Sequence, residues 1–336
     1  MSVFAYFGPA GTFTEMALDK ILATETGAAG VPRRDDQDDV RKIAAASPAA
    51  AIAMVRSGEV DFACVPIESS LEGSVPATMD ALVPDGVSRV QVVAETVLDV
   101  AFAIAAPTAI DAAQVKRIAA YPVASAQVRL SVDKLYPGAE FVIASSNAGA
   151  AQDVSEGKAD AAVTTRLAAE LSGLTVIADE VSDAVDATTR FLLVGRPVSP
   201  PPRTGTDRTA VILELPNEPG SLMSAMNQFA SRGIDLTRIE SRPRRDPATG
   251  ESNPGQYRFF LDAVGHIDDD AVAEALQALF READRIVYLG SWTARGVIGS
   301  PPPDQAASSE WVSAMRRGTG DVDDVEDGDD LSLIHI

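Results

Sequence analysis

The chain has 336 residues, of which 46% are hydrophobic, and carries a formal charge of −21. This length predicts two or three compact units. The acidic balance argues against a nucleic-acid partner, because phosphate binding needs a basic surface. No apolar stretch is long enough to cross a membrane and no basic leader opens the chain, so we expect a cytoplasmic protein without a membrane partner. Cys64 is the only cysteine, which excludes an intrachain disulfide and a cysteine metal cluster. His266 and His335 are far apart, so a histidine-rich zinc site and a Ser-His-Asp hydrolase are poorly supported.

The N-terminal part alternates strand-like and helix-like patterns, which predicts an α/β architecture. Strands are predicted at Val3–Phe7, Asp61–Pro66, Leu98–Ala105, Glu140–Ala144, Ala159–Thr164 and Thr189–Val194. Helices are predicted from Thr12, which has capping-box spacing to Glu15, over Val123–Leu135 and over Ala148–Glu156. The glycine and serine of Ile67–Pro76 favour a loop there.

The prolines of Arg196–Thr206 predict a linker, placed at residues 198–207. Six elements follow in the order β-α-β-β-α-β, a ferredoxin-like pattern over residues 208–295. They are predicted at Thr209–Leu215, Gly220–Arg232, Asp235–Ser241, Tyr257–Val264, Asp269–Glu282 and Arg285–Leu289. The tail, residues 296–336, is expected to hold a short helix and then a largely disordered acidic run, Asp321–Asp330. Whether the apolar ending Leu331–Ile336 is native stays open.

Each candidate motif has an ordinary structural interpretation. Gly8–Thr14 lacks the G-K-[ST] ending of a P-loop, so alone it predicts a strand-to-helix turn. Glu68 could brace the loop after its strand, and Thr189 could be a β-branched strand residue. Cys64 lies in an apolar strand and is expected to be a buried small hydrophobe.

Four stretches, in this order, resemble the prephenate dehydratase family. Gly8–Thr14 resembles the opening G-P-x-G-T-F/Y-S/T, and Asp61–Ser70 resembles D-Y-A-x-V-P-I-E-N-S/T. Asn147 and Ala148 stand where several members have a polar pair that opens a helix, and Thr188–Phe191 contains T-R-F. Any one motif is weak, but the ordered set is specific. Thr164-Thr165-Arg166 repeats the first letters of the last motif without its Phe, so the signature is assigned to Thr188–Phe191.

This resemblance implies a catalytic domain over residues 1–197 with two α/β lobes around a cleft, similar to a periplasmic binding protein. The first lobe would combine residues 1–79 with 183–197, and the second would comprise residues 80–182. The family's reaction converts prephenate to phenylpyruvate, water and carbon dioxide, and it requires neither a metal nor a redox cofactor.

The resemblance also implies roles for individual residues. Thr189 would serve the leaving hydroxyl, either as a general acid or through a strong hydrogen bond. Arg190 would either contact a substrate carboxylate or only pair with Glu68 or another acid, and both options stay open. Phe191 completes the catalytic motif together with these residues. The implied substrate-binding residues are Thr12, Phe13, Ser69, Ser70, Asn147, Thr164 and Thr165. Two positions depart from the family pattern, since Ser69 replaces an Asn and Tyr121-Pro122 replaces His-Pro.

The C-terminal unit resembles an ACT domain, in which two stretches form a phenylalanine site. The first reads Gly220–Met223 and departs at two positions from G-A-L-V, whereas Glu240–Pro243 keeps E-S-R-P. The implied effector residues are Asn217, Pro219, Gly220, Ser221, Leu222, Met223, Glu240, Ser241, Arg242 and Pro243. Because such ligands lie between paired ACT domains, the resemblance implies a homodimer or a homotetramer. Without the resemblance, an ordinary strand-to-helix turn is the favoured interpretation of Pro219 and Gly220.

Two other functions compete with this interpretation. A non-catalytic sensor would bind small molecules in both the cleft and the ACT domain. An arogenate-specific enzyme would need an added acidic contact for the substrate's amino group, and the sequence alone leaves that option open.

Overall fold

A computed structural model describes residues 2–24, 31, 40–84, 86, 88–184, 186–245 and 252–319. The acidic run Asp321–Asp330 and the ending Leu331–Ile336 lie outside the described residues. Within the described part, the strands form three sheets, two in the N-terminal region and one in the C-terminal domain. No described helix is long and apolar enough to cross a membrane.

The sheet of the first lobe has the strand order β2-β1-β3-β11-β5, with β4 paired to β3. Its strands are β1 (Ser2–Phe7), β2 (Val40–Ala45), β3 (Phe62–Ser69), β4 (Gly73–Ser74), β5 (Gln91–Asp99) and β11 (Thr188–Gly195). The pairs of β1 with β2 and β3 are parallel, whereas β11 runs antiparallel to both β3 and β5. The last strand of the N-terminal region thus lies in the interior of the first lobe's sheet.

Three helices cover this sheet: α1 (Phe13–Thr24), α2 (Pro48–Ser57) and α3 (Pro76–Leu82). The sequence of α2 explains its bounds. The Ser47 hydroxyl accepts a hydrogen bond from the Ala50 amide at 3.1 Å, and Pro48 occupies the first turn, where no donor is lost. Gly58 ends the helix in the left-handed region at φ +77°. Ile52 is completely buried against the sheet.

The second lobe has the strand order β10-β6-β9-β7-β8. Its strands are β6 (Ala103–Ala106), β7 (Arg117–Ala120), β8 (Glu140–Ile143), β9 (Ala161–Thr164) and β10 (Thr175–Ala178). Its helices are α4 (Pro122–Gln127), α5 (Arg129–Leu135), α6 (Asn147–Ser155) and α7 (Arg166–Leu171). Two α/β lobes with the crossing strands β5 and β11 between them give the architecture of a periplasmic binding protein, as expected.

Several sequence-based boundaries need correction. The predicted strand Leu98–Ala105 is two strands in different lobes, because β5 ends at Asp99 and β6 begins at Ala103. Since β5 pairs with β11 in the first sheet, the first lobe extends to Asp99 rather than to residue 79. The predicted loop Ile67–Pro76 contains the end of β3 and its hairpin with β4. The predicted helix Val123–Leu135 is interrupted at Val128, and the helix predicted from Thr12 begins at Phe13.

The C-terminal domain is a ferredoxin-like β-α-β-β-α-β unit with the strand order β13-β14-β12-β15, as predicted. Its elements are β12 (Asp207–Glu214), α8 (Ser221–Ala230), β13 (Leu236–Arg245), β14 (Ser252–Val264), α9 (Asp270–Glu282) and β15 (Arg285–Thr293). A tail helix, α10 (Ala306–Arg317), follows, and its Trp311 is 53% exposed.

The two faces of this C-terminal sheet have different partners. Val211, Leu213 and Leu261 pack beneath α8 and α9. Side chains of the other face, including Ile212 and Phe260, belong to the same apolar core as lobe-one residues such as Ile67, Val92 and Leu192. At this contact, a Cβ on Gly290 would lie 2.4 Å from the carbonyl oxygen of Val92. The sheet therefore docks closely on the first lobe.

Candidate active site

A cavity of about 330 Å³ lies between the two lobes. Its walls combine the β1–α1 turn, the β3–β4 hairpin and β11 of the first lobe with the starts of α4 and α6 of the second. The lining residues are Phe7, Gly8, Thr12, Phe13, Thr14, Pro66, Ser69, Leu71, Glu72, Val75, Val100, Phe102, Tyr121, Val123, Ala124, Gln127, Ser145, Ser146, Asn147, Ala187, Thr189 and Phe191. The predicted residues Thr12, Phe13, Ser69, Asn147, Thr189 and Phe191 thus meet in one cleft.

The β1–α1 turn is fixed by contacts on both of its sides. Gly11 has φ +84°, and a Cβ there would lie 2.8 Å from the Cα of Ala168 in the second lobe, so only glycine fits this approach. The Gly11 amide donates to Glu15 Oε2 at 2.7 Å, and the Thr165 hydroxyl donates to the Gly11 carbonyl at 2.7 Å. The Thr12 hydroxyl donates to the Phe7 carbonyl at 3.1 Å. These contacts hold the start of α1 against the cleft.

Strand β11 directs alternate side chains to opposite faces. Thr189 and Phe191 line the cleft, and Thr189 is paired in register with Ser69 on β3. The β3–β11 register shifts between Arg190 and Phe191, because Ile67 is an extra residue of β3 at this point, whereas β11 pairs with β5 without interruption from Thr188 to Leu193. The bulge therefore lies in β3 beside the motif, while the regular pairing of β11 with β5 sets the direction of Thr189.

Arg190 faces away from the cleft, toward the C-terminal domain. Its Nη2 lies 2.5 Å from Asp262 Oδ2 and 3.6 Å from Glu68 Oε2, and its Nη1 lies 3.3 Å from Glu95 Oε2. Burial opposes the charged form of the guanidinium, but these three carboxylates outweigh it and raise the pKa of Arg190. Neither Arg190 nor Glu68 lines the cavity, so of the two options for Arg190, the geometry favours pairing with acids over contact with substrate.

Other predicted residues support the cleft from behind. The buried Thr164 hydroxyl donates to the Asn147 carbonyl at 2.7 Å and so holds the start of α6. Thr165 caps α7 by accepting from the Ala168 amide at 3.0 Å. The Ser70 hydroxyl accepts from the Thr188 amide at 2.9 Å and ties the β3–β4 hairpin to β11. Thr164, Thr165 and Ser70 are absent from the described cavity lining and act as braces.

Sequence reasoning missed several lining residues of the second lobe. Ser145, Ser146 and Gln127 present polar groups to the cavity, and Tyr121 stands at its edge with 39% of its surface exposed. A usable signal was present for Ser146, which caps α6 by accepting from the Gly149 amide at 2.9 Å. The helix is predicted from Ala148, two residues later, and the N-cap preference of serine could have placed its start directly after Ser146.

The cleft is poor in charge. Among the described residues that line it, none is Lys or Arg, and Glu72 is the only carboxylate. The donors available are hydroxyls, side-chain amides and the free N–H groups at the starts of α1 and α6. Helix N-termini bind anions through such groups together with the helix dipole. This arrangement suits an anionic, partly apolar molecule held by neutral donors.

A family model for prephenate dehydratase matches residues 4–199, and one for the ACT domain matches residues 209–281. The chain belongs to the prephenate dehydratase family. A relative from Mycolicibacterium vanbaalenii, named prephenate dehydratase, is 51% identical over 318 residues, which cover 95% of this chain and 99% of the relative.

Solved structures with the same fold extend this comparison. A prephenate dehydratase from Arthrobacter aurescens in complex with L-Phe has a TM-score of 0.77 and 36% identity, covering 94% of this chain and 100% of that chain. GqqA, described as a novel type of quorum-quenching acylase, has a TM-score of 0.72 and 29% identity, covering 87% and 98%. Because one fold can carry different chemistry, the reaction has to be argued from the residues of the cleft.

The effector segments expected of this family lie at one end of the ACT sheet. Arg258 on β14 pairs with Glu214 on β12 and with Arg242 on β13, so the loop after β12 and the E-S-R-P segment flank the same end. Gly220 is the N-cap of α8 and has φ +90°, a conformation that favours glycine. Met223 in the first turn of α8 is 72% exposed.

The E-S-R-P segment is divided between the two faces of the sheet. Glu240 Oε2 accepts a hydrogen bond from the Ser74 hydroxyl at 2.9 Å, and Arg242 contacts Asp80 at 2.7 Å. Both partners belong to the first lobe. Strand alternation therefore directs Ser241 and Pro243 to the helix-covered face, away from that lobe. Half of the expected effector motif is engaged with the catalytic domain.

Proposed function

We propose that this protein is a cytoplasmic prephenate dehydratase that converts prephenate to phenylpyruvate, carbon dioxide and water and responds to L-phenylalanine through its ACT domain. The observation that carries this proposal is the convergence of the family's separate motifs on one cavity. Thr12, Ser69 and Thr189 of the first lobe face Asn147 of the second lobe there.

The chemistry needs little from the protein beyond positioning and one hydrogen bond. The bond between the ring and its carboxylate breaks, and that electron pair enters the ring as carbon dioxide leaves. Coupled to this loss, the ring C–O bond breaks with its electron pair leaving on the oxygen, and the hydroxyl becomes water by taking up one proton that originates from solvent. Aromatisation supplies the driving force. A donor placed at the leaving oxygen contributes typically ~10²–10⁴ in rate.

Thr189 is the residue best placed to be that donor. Thr189 lies in β11, the last strand of the first lobe to reach the cleft. Phe191, two residues further along, adds an apolar wall to the cavity, and it is only 2% exposed. Phe13 and Phe102 meet across the lobes with ring centroids 5.6 Å apart. Such walls exclude water, and this strengthens each hydrogen bond made to a developing charge.

The two carboxylates of prephenate would be held by neutral donors. The N-termini of α1 and α6 supply N–H groups, and the hydroxyls of Ser69 and Ser145 add side-chain donors, whereas the Thr12 hydroxyl already donates to the Phe7 carbonyl. Ser69 is shorter than the Asn found in relatives. A water molecule would bridge the remaining gap to the substrate.

The effector proposal includes an oligomer. Because the expected phenylalanine site lies between paired ACT domains, the active form would be a homodimer or a homotetramer. Exposed apolar residues at the start of α8, Leu222 and Met223, would then be covered by the partner domain. Sedimentation of the purified protein with and without phenylalanine measures this directly.

The deciding experiment is phenylpyruvate formation from prephenate, with and without L-phenylalanine, and with arogenate as a competing substrate. We expect turnover of prephenate that changes on addition of phenylalanine. Phenylalanine binding without any turnover would favour the non-catalytic sensor. Faster turnover of arogenate than of prephenate would assign the other substrate, with Glu72 as the acidic contact that its amino group needs.

A further inference from the structure

Six ionised side chains meet where the ACT sheet docks on the first lobe, and we call them the interface ion cluster. Its members are Glu68, Glu95 and Arg190 of the first lobe and Arg208, Arg238 and Asp262 of the ACT domain. Arg190 contacts all three carboxylates, and Asp262 is the closest at 2.5 Å. Arg208 pairs with Glu95, and Arg238 Nη1 lies 3.8 Å from Asp262 Oδ1.

The charges of the interface ion cluster balance only across the two domains. The first lobe contributes two carboxylates and one guanidinium, a net −1, whereas the ACT domain contributes two guanidinium groups and one carboxylate, a net +1. Glu95 is fully buried, and the side chain of Asp262 is 6% exposed. A buried charge without its partner is strongly unfavourable, so each domain requires the other at this contact.

The cluster lies directly behind the residue proposed to react. Arg190 follows Thr189 in β11, which pairs with β5 without interruption here but faces a bulge of β3 at Ile67 on its other side. Because one of the two ladders that hold β11 is disrupted at this point, the side-chain contacts of Arg190 add to what fixes the strand there. The contacts of Arg190 therefore fix one side of β11, while Thr189 occupies the other.

We propose that Asp262 of the ACT domain is a positioning residue for the dehydration, acting on Thr189 through Arg190. This inference rests on the proposed role of Thr189. The ACT domain would thus be part of the catalytic structure even when no effector is bound. The cluster also touches the effector motif, because the Ser74 hydroxyl lies 3.5 Å from Arg238 and donates to Glu240 at 2.9 Å.

The test compares Asp262→Asn with a matched control, Glu214→Gln. Glu214 is also a buried carboxylate of the ACT sheet, 6% exposed, and it contacts Arg258 at 2.7 Å, Arg244 at 3.4 Å and Arg285 at 3.9 Å, all within its own domain. We expect Asp262→Asn to lower kcat about tenfold with KM changed less than about twofold, because small misplacements of a reacting group reduce turnover. Glu214→Gln should leave both constants within about twofold.

Two further variants test the route through Arg190. If Asp262 acts only through this residue, Arg190→Gln and the double variant Arg190→Gln/Asp262→Asn should have the same kcat within about twofold. Asp262→Glu, which restores the charge, should recover part of the loss. Multiplicative losses in the double variant would overturn the proposal, as would equal losses in Asp262→Asn and Glu214→Gln.

A readout that does not depend on activity separates this inference from the proposed function. Hydrogen exchange of peptides covering residues 188–195 should rise several-fold in Asp262→Asn and stay unchanged in Glu214→Gln, while exchange of α9 shows that the ACT domain is folded. Unchanged exchange in β11 would overturn the positioning role. A wild-type protein without turnover of prephenate would instead overturn the proposed function, whatever the exchange pattern shows.

Discussion

Thr189 and Arg190 are neighbours in β11, yet their side chains belong to two regions with opposite character. On the Thr189 side, the cleft is lined by hydroxyls, amides and aromatic rings, with Glu72 as the only charged residue among the described lining. On the Arg190 side, three arginines and the carboxylates of Glu95 and Asp262 are buried together between two domains, with the partly exposed Glu68 at their edge. One strand therefore separates a nearly uncharged cavity from a dense cluster of ions.

The difference shows where this protein uses charge. A chain with a formal charge of −21 repels a dianion at long range, but helix N-termini offer local positive ends without adding a cation that would need its own partner. The arginines are used instead to join the domains. Substrate binding and domain docking thus use different chemistry on the two sides of the same strand, β11.

The largest expected effect is on the cleft side of β11. Thr189→Val removes the hydroxyl and keeps the shape, so we expect kcat to fall ~10²–10⁴-fold with a much smaller change in KM. Thr188→Val is the matched control, since strand alternation directs Thr188 to the other face, and it should change kcat less than about threefold. Steady-state kinetics of both variants test this prediction, and equal losses of kcat would contradict it.

The Arg190 side is the docking side, where the ACT sheet packs on the first lobe. Here Gly290→Ala should separate the sheet from the first lobe. A Cβ at Gly290 would lie 2.4 Å from the Val92 carbonyl oxygen, and its φ of +134° is unfavourable for alanine. Overpacking and backbone strain together should lower the free energy of unfolding by at least about 2 kcal/mol. Gly138→Ala, at φ +88° with nothing within 4 Å, tests strain alone and should cost about 1–2 kcal/mol in urea unfolding.

The docking side should also be sensitive to acid. Burial raises the pKa of Asp262, but Arg190, Arg238 and Arg208 outweigh it, so the pKa is lowered overall. An aspartate whose pKa is lowered in the folded state stabilises the fold at pH values above its ordinary pKa of about 3.9. This contribution is lost as the pH falls toward the pKa in the folded state. The difference in unfolding free energy between wild type and Asp262→Asn should be constant from pH 7 to about 5 and shrink below about 4. A difference that grows on acidification would contradict this assignment.

The smallest effect concerns the E-S-R-P segment. Arg242 and Asp80 are 24% and 54% exposed, so their contact is worth at most about 1 kcal/mol. Asp80→Asn releases Arg242 from the first lobe, and we expect the phenylalanine concentration for half-maximal response to fall by up to about fivefold. Asp133→Asn, an exposed aspartate of α5 in the second lobe, is the control. A weaker phenylalanine response in Asp80→Asn would contradict this expectation, because the contact between Asp80 and Arg242 would then support effector binding.

The fold and much of the cleft could be predicted from the sequence because short motifs carry the turns that form them. Gly11 is required by a positive φ and a close approach, and Thr189 stands in a strand pattern whose period of two separates it from Arg190. The boundary between the lobes could not be located locally. Leu98–Ala105 is apolar except for Asp99, and only the pairing of β5 with β11 shows that the chain changes lobes inside this stretch.

The partners of Arg190 could not be predicted either, because they are distant from it in the sequence. Alternation shows that Arg190 faces away from Thr189, but Asp262 is 72 residues further along the chain and belongs to a different domain. Local patterns contain no information on such a contact. Serine at the start of α6 was a recognisable cap, whereas the position of Gln127 in the cleft follows only from how α4 packs between the lobes.

The interior position of β11 has a consequence for synthesis on the ribosome. The second lobe's sheet is built from a continuous stretch, residues 103–178, and can form as soon as it emerges. The first lobe must wait, with the edges of β3 and β5 unpaired, until residues 188–195 arrive between them. Unpaired edges invite association with other chains, so truncation before residue 188 should yield aggregates. The strand that carries Thr189 is also the one that ends this vulnerable interval.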